Sequence, residues 1–152
     1  MQLAKNDYFC ANSTHMARIL AIDYGKKKTG LAVTDPLQII ANGLTTVPTH
    51  QLFDFLDKYL QTEAVERIVV GYPTQTTGEI SESMKYITPF VNRLKNKYPH
   101  LPVEWVDERF TSKMAFQTML DAGLKKTARQ NKNLVDQISA TIILQSYLET
   151  KR

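Results

Sequence analysis

The chain has 152 residues, which points to one domain with a core of its own. Apolar residues make up 43% and charged residues 22%, ordinary globular usage. No apolar run reaches the length of a membrane span, and the lone Cys10 excludes an internal disulfide framework and most cysteine metal sites, which fits a reducing cytoplasm. The net charge of +4 and a pI near 9.1 favour polyanionic partners without demanding them, so where the charge lies matters more than its sum.

Met1 to His15 is polar and aperiodic, with no apolar run of the kind a secretory signal needs. It reads as a disordered leader or an extension foreign to the fold, with the domain occupying residues 16–152. Arg18 to Tyr24 (RILAIDY) is apolar on both faces and reads as a strand ending at Gly25. Thr29 to Thr34 (TGLAVT) is a second strand, closed by Asp35-Pro36, and Ile39 to Val47 a third. Short turns between the three predict an antiparallel meander.

The period then changes. Leu52, Phe53, Leu56, Tyr59 and Leu60 recur at helical spacing. Glu66 to Tyr72 (ERIVVGY) has an unbroken apolar core, as a buried parallel strand does. A helix is expected over roughly Glu79 to Tyr98, with Pro89 kinking or splitting it. Val103 to Asp107 (VEWVD) is a fifth strand, with Trp105 packing in the core. Thr111 to Ala122 reads as a helix with Gly123 at its C-terminal cap, and Leu134 to Leu148 as the last helix. The order β-β-β-α-β-α-β-α-α predicts an α/β fold: a mixed five-stranded sheet, three antiparallel strands then two parallel, flanked by helices on both faces.

Acidic residues stand at element ends. Asp23 ends strand one, Asp107 and Glu108 close strand five, and Asp136 opens the last helix. Ligands of open α/β sheets gather beyond the carboxyl ends of strands, where strands one and five both finish. Clustered carboxylates repel one another, and a divalent cation removes that cost. Oxygen-only ligands suit Mg²⁺ or Mn²⁺ rather than zinc, and two such ions about 4 Å apart serve phosphodiester cleavage. Each acid also has a plain structural role open to it: Asp23 as a turn cap, Asp107-Glu108-Arg109 as a strand end with a local ion pair, Asp136 as a helix-dipole partner in a first turn. Strand alternation forbids Asp107 and Glu108 from facing one metal together unless the strand has ended, and the sequence leaves that choice open. His15, His50 and His100 adjoin no acidic motif and read as surface residues.

Gly25 in Asp23-Tyr-Gly25-Lys-Lys-Lys-Thr-Gly30 permits a tight turn and a close backbone approach to phosphate. The loop Gly71-Tyr-Pro73-Thr-Gln-Thr-Thr-Gly78 is rich in hydroxyls and opens a helix, where N–H groups suit a phosphate. Two basic stretches adjoin these motifs: Lys26, Lys27 and Lys28, and a later one through Lys125, Lys126, Arg129 and Lys132.

The run IDYGKKKTGLAVTD resembles the first signature of the YqgF (RuvX) family. VVGYPTQTTGE is similar to its Gly-x-Pro loop, VDERFTS to its Asp-Glu-Arg motif, and VDQISATIILQSYL to its C-terminal helix. The four motifs occur in order between Met16 and about Leu148. The resemblance implies a ribonuclease H-like fold related to Holliday junction resolvases, and nucleases that mature the 5′ end of precursor 16S rRNA, with junction resolution as an alternative activity. It implies Asp23, Glu108 and Asp136 as the acidic triad holding Mg²⁺ or Mn²⁺, two ions in number, with Asp107 in reserve. Arg109 and Thr111 match the flank that steadies the site or contacts phosphate. The lysines and the Lys125–Lys132 loop would grip a nucleic-acid backbone, so binding should weaken steeply with salt.

Two other classes compete. Sugar-kinase and actin-like ATPases carry a similar first phosphate loop, but need two such domains to enclose ATP. A non-catalytic nucleic-acid-binding module in ribosome assembly or transcription would use the same basic loops, yet unpaired carboxylates beside phosphate oppose binding unless a metal lies between. Precursor rRNA is the favoured partner and branched DNA the alternative, with no membrane, a cytoplasmic location, and a monomer or homodimer both open.

Overall fold

This is a computed structural model, and it describes residues 17–72, 84–107 and 132–151, the side chains at 132–136 and 151 excepted. The strands are β1 (Arg18–Asp23), β2 (Lys28–Thr34), β3 (Ala41–Pro48), β4 (Val65–Tyr72) and β5 (Val103–Asp107). A 3-10 turn at Thr49–Gln51 leads into helix α1 (Leu52–Thr62); α2 is Met84–Lys97 and α3 Lys132–Lys151. The expected helices over 79–83 and 111–122 lie outside the described residues.

The strands form one mixed sheet in the order β3-β2-β1-β4-β5. β1 pairs antiparallel with β2 and β2 with β3, whereas β1–β4 and β4–β5 are parallel. β1 is thus central, which explains a segment apolar on both faces. Leu20, Ile22, Leu31, Ile68 and Val70 point to the face covered by α1 and α2, where Leu56, Ile87, Phe90 and Leu94 complete a core. Ile87, Phe90, Val91 and Leu94 form one stripe of α2 at helical spacing.

The other face meets α3. There Ile19, Ala21, Ala32, Ala41 and Val69 pack under Ala140, Ile143, Leu144, Tyr147 and Leu148. This layer is built largely of small residues, and at Gly43 the helix approaches close enough that an added Cβ would stand 3.4 Å from both Gln137 Oε1 and Thr141 Oγ1. The far end of α3 is pinned by a polar knot. Arg67 of β4 donates to Glu104 of β5 and, at 2.8 Å, to the Tyr147 hydroxyl, which itself reaches Glu104 at 2.9 Å.

Three expectations change in detail. Pro89 does not split α2; it lies on the exposed side, so the one backbone bond it forfeits falls where water reaches. β3 starts at Ala41 rather than Ile39, because the Asp35 carboxylate accepts the N–H groups of Leu37, Ile39 and Ile40 at 3.2, 2.8 and 2.8 Å. Those N–H groups are committed to a turn and cannot join the ladder; the same bonds, that from Ile40 foremost, hold the Asp35 carboxyl below its usual range. Trp105 is not a core residue but 37% exposed, edge-on to Tyr72 with ring centres 5.6 Å apart.

Candidate active site

Because β1, β4 and β5 are parallel, their carboxyl ends share one edge of the sheet. Asp23 ends β1 there, opposite Gly30 of β2, and Asp107 ends β5, opposite Tyr72. The two carboxylates nevertheless belong to opposite faces. Asp23 alternates with Ile19 and Ala21, which pack toward α3. Asp107 alternates with Val103, which packs toward α1 and α2, and with Trp105, which meets Tyr72 and Met84 in an open hollow on that side. Both acids have interaction partners.

Asp136 is the fifth residue of α3. The first turn, from Lys132 to Val135, holds no acid, so Asp136 is not the first-turn dipole partner that its sequence position allowed. Position 136 falls one helical turn before Ala140, the first residue of α3 named in the core against β1 and β2. Glu108, Arg109, Thr111, Pro73, Gly78, Lys125, Lys126 and Arg129 lie outside the described residues, as does the side chain of Lys132.

The turn between β1 and β2 is built to one shape. A Cβ on Gly25 would stand 2.5 Å from the Lys28 carbonyl oxygen, so only glycine fits. Thr49, brought alongside by the β2–β3 pairing, donates its hydroxyl to the Gly25 carbonyl at 2.7 Å and its N–H to the Lys27 carbonyl at 2.8 Å. With that hydroxyl proton committed, the fully buried Thr29 donates its own to Thr49 Oγ1 at 2.9 Å. Lys26, Lys27 and Lys28 are consequently presented outward on a clamped backbone beside Asp23. Gly30, grouped by sequence with a phosphate loop, sits within β2, buried and paired to Asp23 and Thr46. Thr29 and Thr49 carry no motif of their own; only the strand register reveals them.

Among the described residues no three His, Cys, Asp or Glu side chains gather as a metal site. Of the three acids proposed from sequence, Asp23 alone has a described side chain. His50 and His100 are exposed, as expected. No helix among the described residues is long and apolar enough to cross a membrane.

This sheet order, with a central first strand that ends in an acid and helices on both faces, defines the ribonuclease H-like class. Thermus thermophilus RuvC, solved in complex with a Holliday junction substrate, matches over 89% of this chain and 96% of its own, with a TM-score of 0.54 and 16% identity. The chain belongs to the RuvX family, whose model, described as Holliday junction resolvase, matches residues 17–150. Membership makes it a hydrolase of phosphodiester bonds. A Phocaeicola vulgatus protein named "Putative pre-16S rRNA nuclease" is 70% identical over 137 residues, covering 90% of this chain and 99% of its own. A Bacteroides fragilis protein of the same name is 67% identical over the same shares.

Proposed function

We propose that this chain is a divalent-cation-dependent endonuclease that acts on structured nucleic acid, with the 5′ end of precursor 16S rRNA as its substrate. The observation that carries the reading is Asp23 at the carboxyl end of the central strand, flanked by a clamped turn that presents three lysines. The names of the relatives supply the substrate class. A nuclease of rRNA precursors works in the cytoplasm.

The donor set fits Mg²⁺ or Mn²⁺, since Asp23, Glu108 and Asp136 offer carboxylate oxygen alone. Asp107 belongs to the α1–α2 face, which is not the face of Asp23 and α3. That favours Glu108 as the third ligand and leaves Asp107 out. Asp23, Glu108 and Asp136 would hold divalent cations there, which when bound would supply Lewis-acid charge for activating water and stabilising the leaving oxygen. The chain's own groups do the rest. Asp23 fixes the ligand geometry from a buried strand, position 136 approaches from α3, and Lys26 to Lys28 grip the phosphates beside the scissile one. Arg109, Lys125, Lys126, Arg129 and Lys132 would extend that grip.

A second reading, cleavage of four-way DNA junctions by a homodimer, is favoured by the family's own description. One experiment separates the readings. A labelled precursor-rRNA fragment and a four-way DNA junction are incubated with Mg²⁺, Mn²⁺ or EDTA, with wild type and Asp23→Asn. Metal-dependent cutting of the RNA, lost in the variant while its melting temperature holds, is the expected result. Cutting of the junction alone selects the second reading. Cleavage that survives Asp23→Asn overturns the assignment, and binding with no turnover on either substrate indicates a non-catalytic module.

A further inference from the structure

The residue after Asp23 begins a feature that phosphodiester chemistry does not require. Tyr24 turns to the face opposite Asp23 and stacks on Phe90 of α2, ring centres 4.1 Å apart and planes within 15°. Phe90 is buried and rests in turn on Phe53 of α1 at 5.6 Å. The stack is anchored in the core, but its outer end is not. Tyr86, one turn earlier on α2, leans against Tyr24 at 6.1 Å with a 42° tilt and is partly exposed. The Lys26 ammonium lies 5.3 Å from the centre of the Tyr86 ring, and the Arg93 guanidinium 4.7 Å from that of Phe53.

An aromatic surface rooted in the core, flanked by two cations and starting from the residue after Asp23 on the opposite face of the sheet, has the composition of a base-stacking platform. Rings accept any base face, and neighbouring cations track the backbone. A packing role alone accounts for Tyr24 and Phe90. Tyr86 also packs one edge against that core, but packing does not account for the rest of its ring standing in water with the first lysine of the turn over it. We propose that Tyr86, backed by Tyr24 and Phe90, stacks an unpaired base of the substrate strand flanking the cut, on the sheet face opposite Asp23, with Lys26 over the ring and Arg93 further along the cluster holding the backbone. The platform would select a single-stranded nucleotide flanking the cut, because a base inside a duplex shows no free face. This rests on the reading of the chain as a nuclease.

The test uses strands carrying 2-aminopurine at one position, single-stranded or in a duplex, with EDTA present to prevent cleavage. Wild type, Tyr86→Ala and Tyr86→Phe are compared. Wild type should quench 2-aminopurine in the single strand. Tyr86→Ala should lose the quench and bind the single strand about tenfold more weakly, with duplex affinity unchanged and the protein still folded, its melting temperature lowered only by the lost core contact. Tyr86→Phe should behave as wild type, because the ring and not the hydroxyl does the stacking. Unchanged single-strand affinity in Tyr86→Ala, equal loss on both substrates, or no quench by wild type overturns the platform. Cleavage assayed in parallel keeps the two ideas apart: metal-dependent cutting by a wild type that shows no quench sinks only the platform, whereas absent cutting with the quench intact sinks only the nuclease.

Discussion

Gly25→Ala is the sharpest probe of the turn that carries the lysines. The new Cβ would fall 2.5 Å from the Lys28 carbonyl oxygen, where ordinary van der Waals contact begins at 3.4 Å. That oxygen is backbone and cannot swing aside as a side-chain end can. The neighbouring carbonyls of Gly25 and Lys27 are held by Thr49 at 2.7 and 2.8 Å, so the turn yields only by breaking those bonds. Opening both costs about 2 kcal/mol at roughly 1 kcal/mol each. Keeping them and bearing the clash costs a similar amount, about 1–3 kcal/mol. In a domain of this size roughly 2–4 °C accompanies each kcal/mol, so the melting temperature should fall by about 4–8 °C. Gly43→Ala is the internal control. Its Cβ meets the ends of Gln137 and Thr141 at 3.4 Å, both side chains that can give, and its shift should stay under about 2 °C. Thermal unfolding followed by far-UV circular dichroism reads both variants. A Gly25→Ala shift no larger than that of Gly43→Ala would refute the reasoning from close approach.

Replacing Lys26, Lys27 and Lys28 together by alanine should leave the melting temperature near wild type, since all three side chains are exposed. It should also flatten the plot of log affinity against log salt by about 2–3, if each lysine meets one phosphate; an unchanged slope places the backbone grip elsewhere. The Tyr98 hydroxyl donates to Asp57 at 2.5 Å, and burial first, with that bond second, pushes its pKa above the ordinary 10.0. A raised pKa gives stability that is whole below pH 10.0 and drains as pH climbs through the folded value. Between pH 10.0 and the folded value, Tyr98→Phe should therefore lose stability less steeply than wild type, by about one proton, in urea titrations at stepped pH. Parallel alkaline slopes in the two proteins would contradict this.

The sheet was legible because its strands differ in kind. β1 and β4 have unbroken apolar cores, as buried strands do, whereas the strand order, with β3 at one edge, follows only from the pairing. What stayed hidden depends on partners distant in sequence. Asp35 draws Ile39 and Ile40 out of the ladder through bonds that no periodicity records. Thr49 serves Gly25 from 24 residues away. Pro89 is harmless to α2 because it faces outward, which follows from the neighbours of the helix and not from proline itself. For the candidate site, the sequence placed Asp23 at a strand end but left Asp107 and Glu108 undecided. The β4–β5 register and the two cores fix the face of Asp107, and that face is not the one Asp23 uses.

The layer of small residues beneath α3 has a mechanical consequence. Ala21, Ala32, Ala41 and Gly43 act together as a shim, and their thickness sets how high the helix rides above β1 and β2. The ligand proposed at position 136 rides with it. A valine in that layer would touch no acid and no lysine, yet it would lift one jaw of the site away from the other. A misplacement of about 1 Å costs on the order of 100-fold in rate. On the proposed reading, catalytic precision rests partly on alanines in the sheet beneath α3, where a search among charged residues alone would never look.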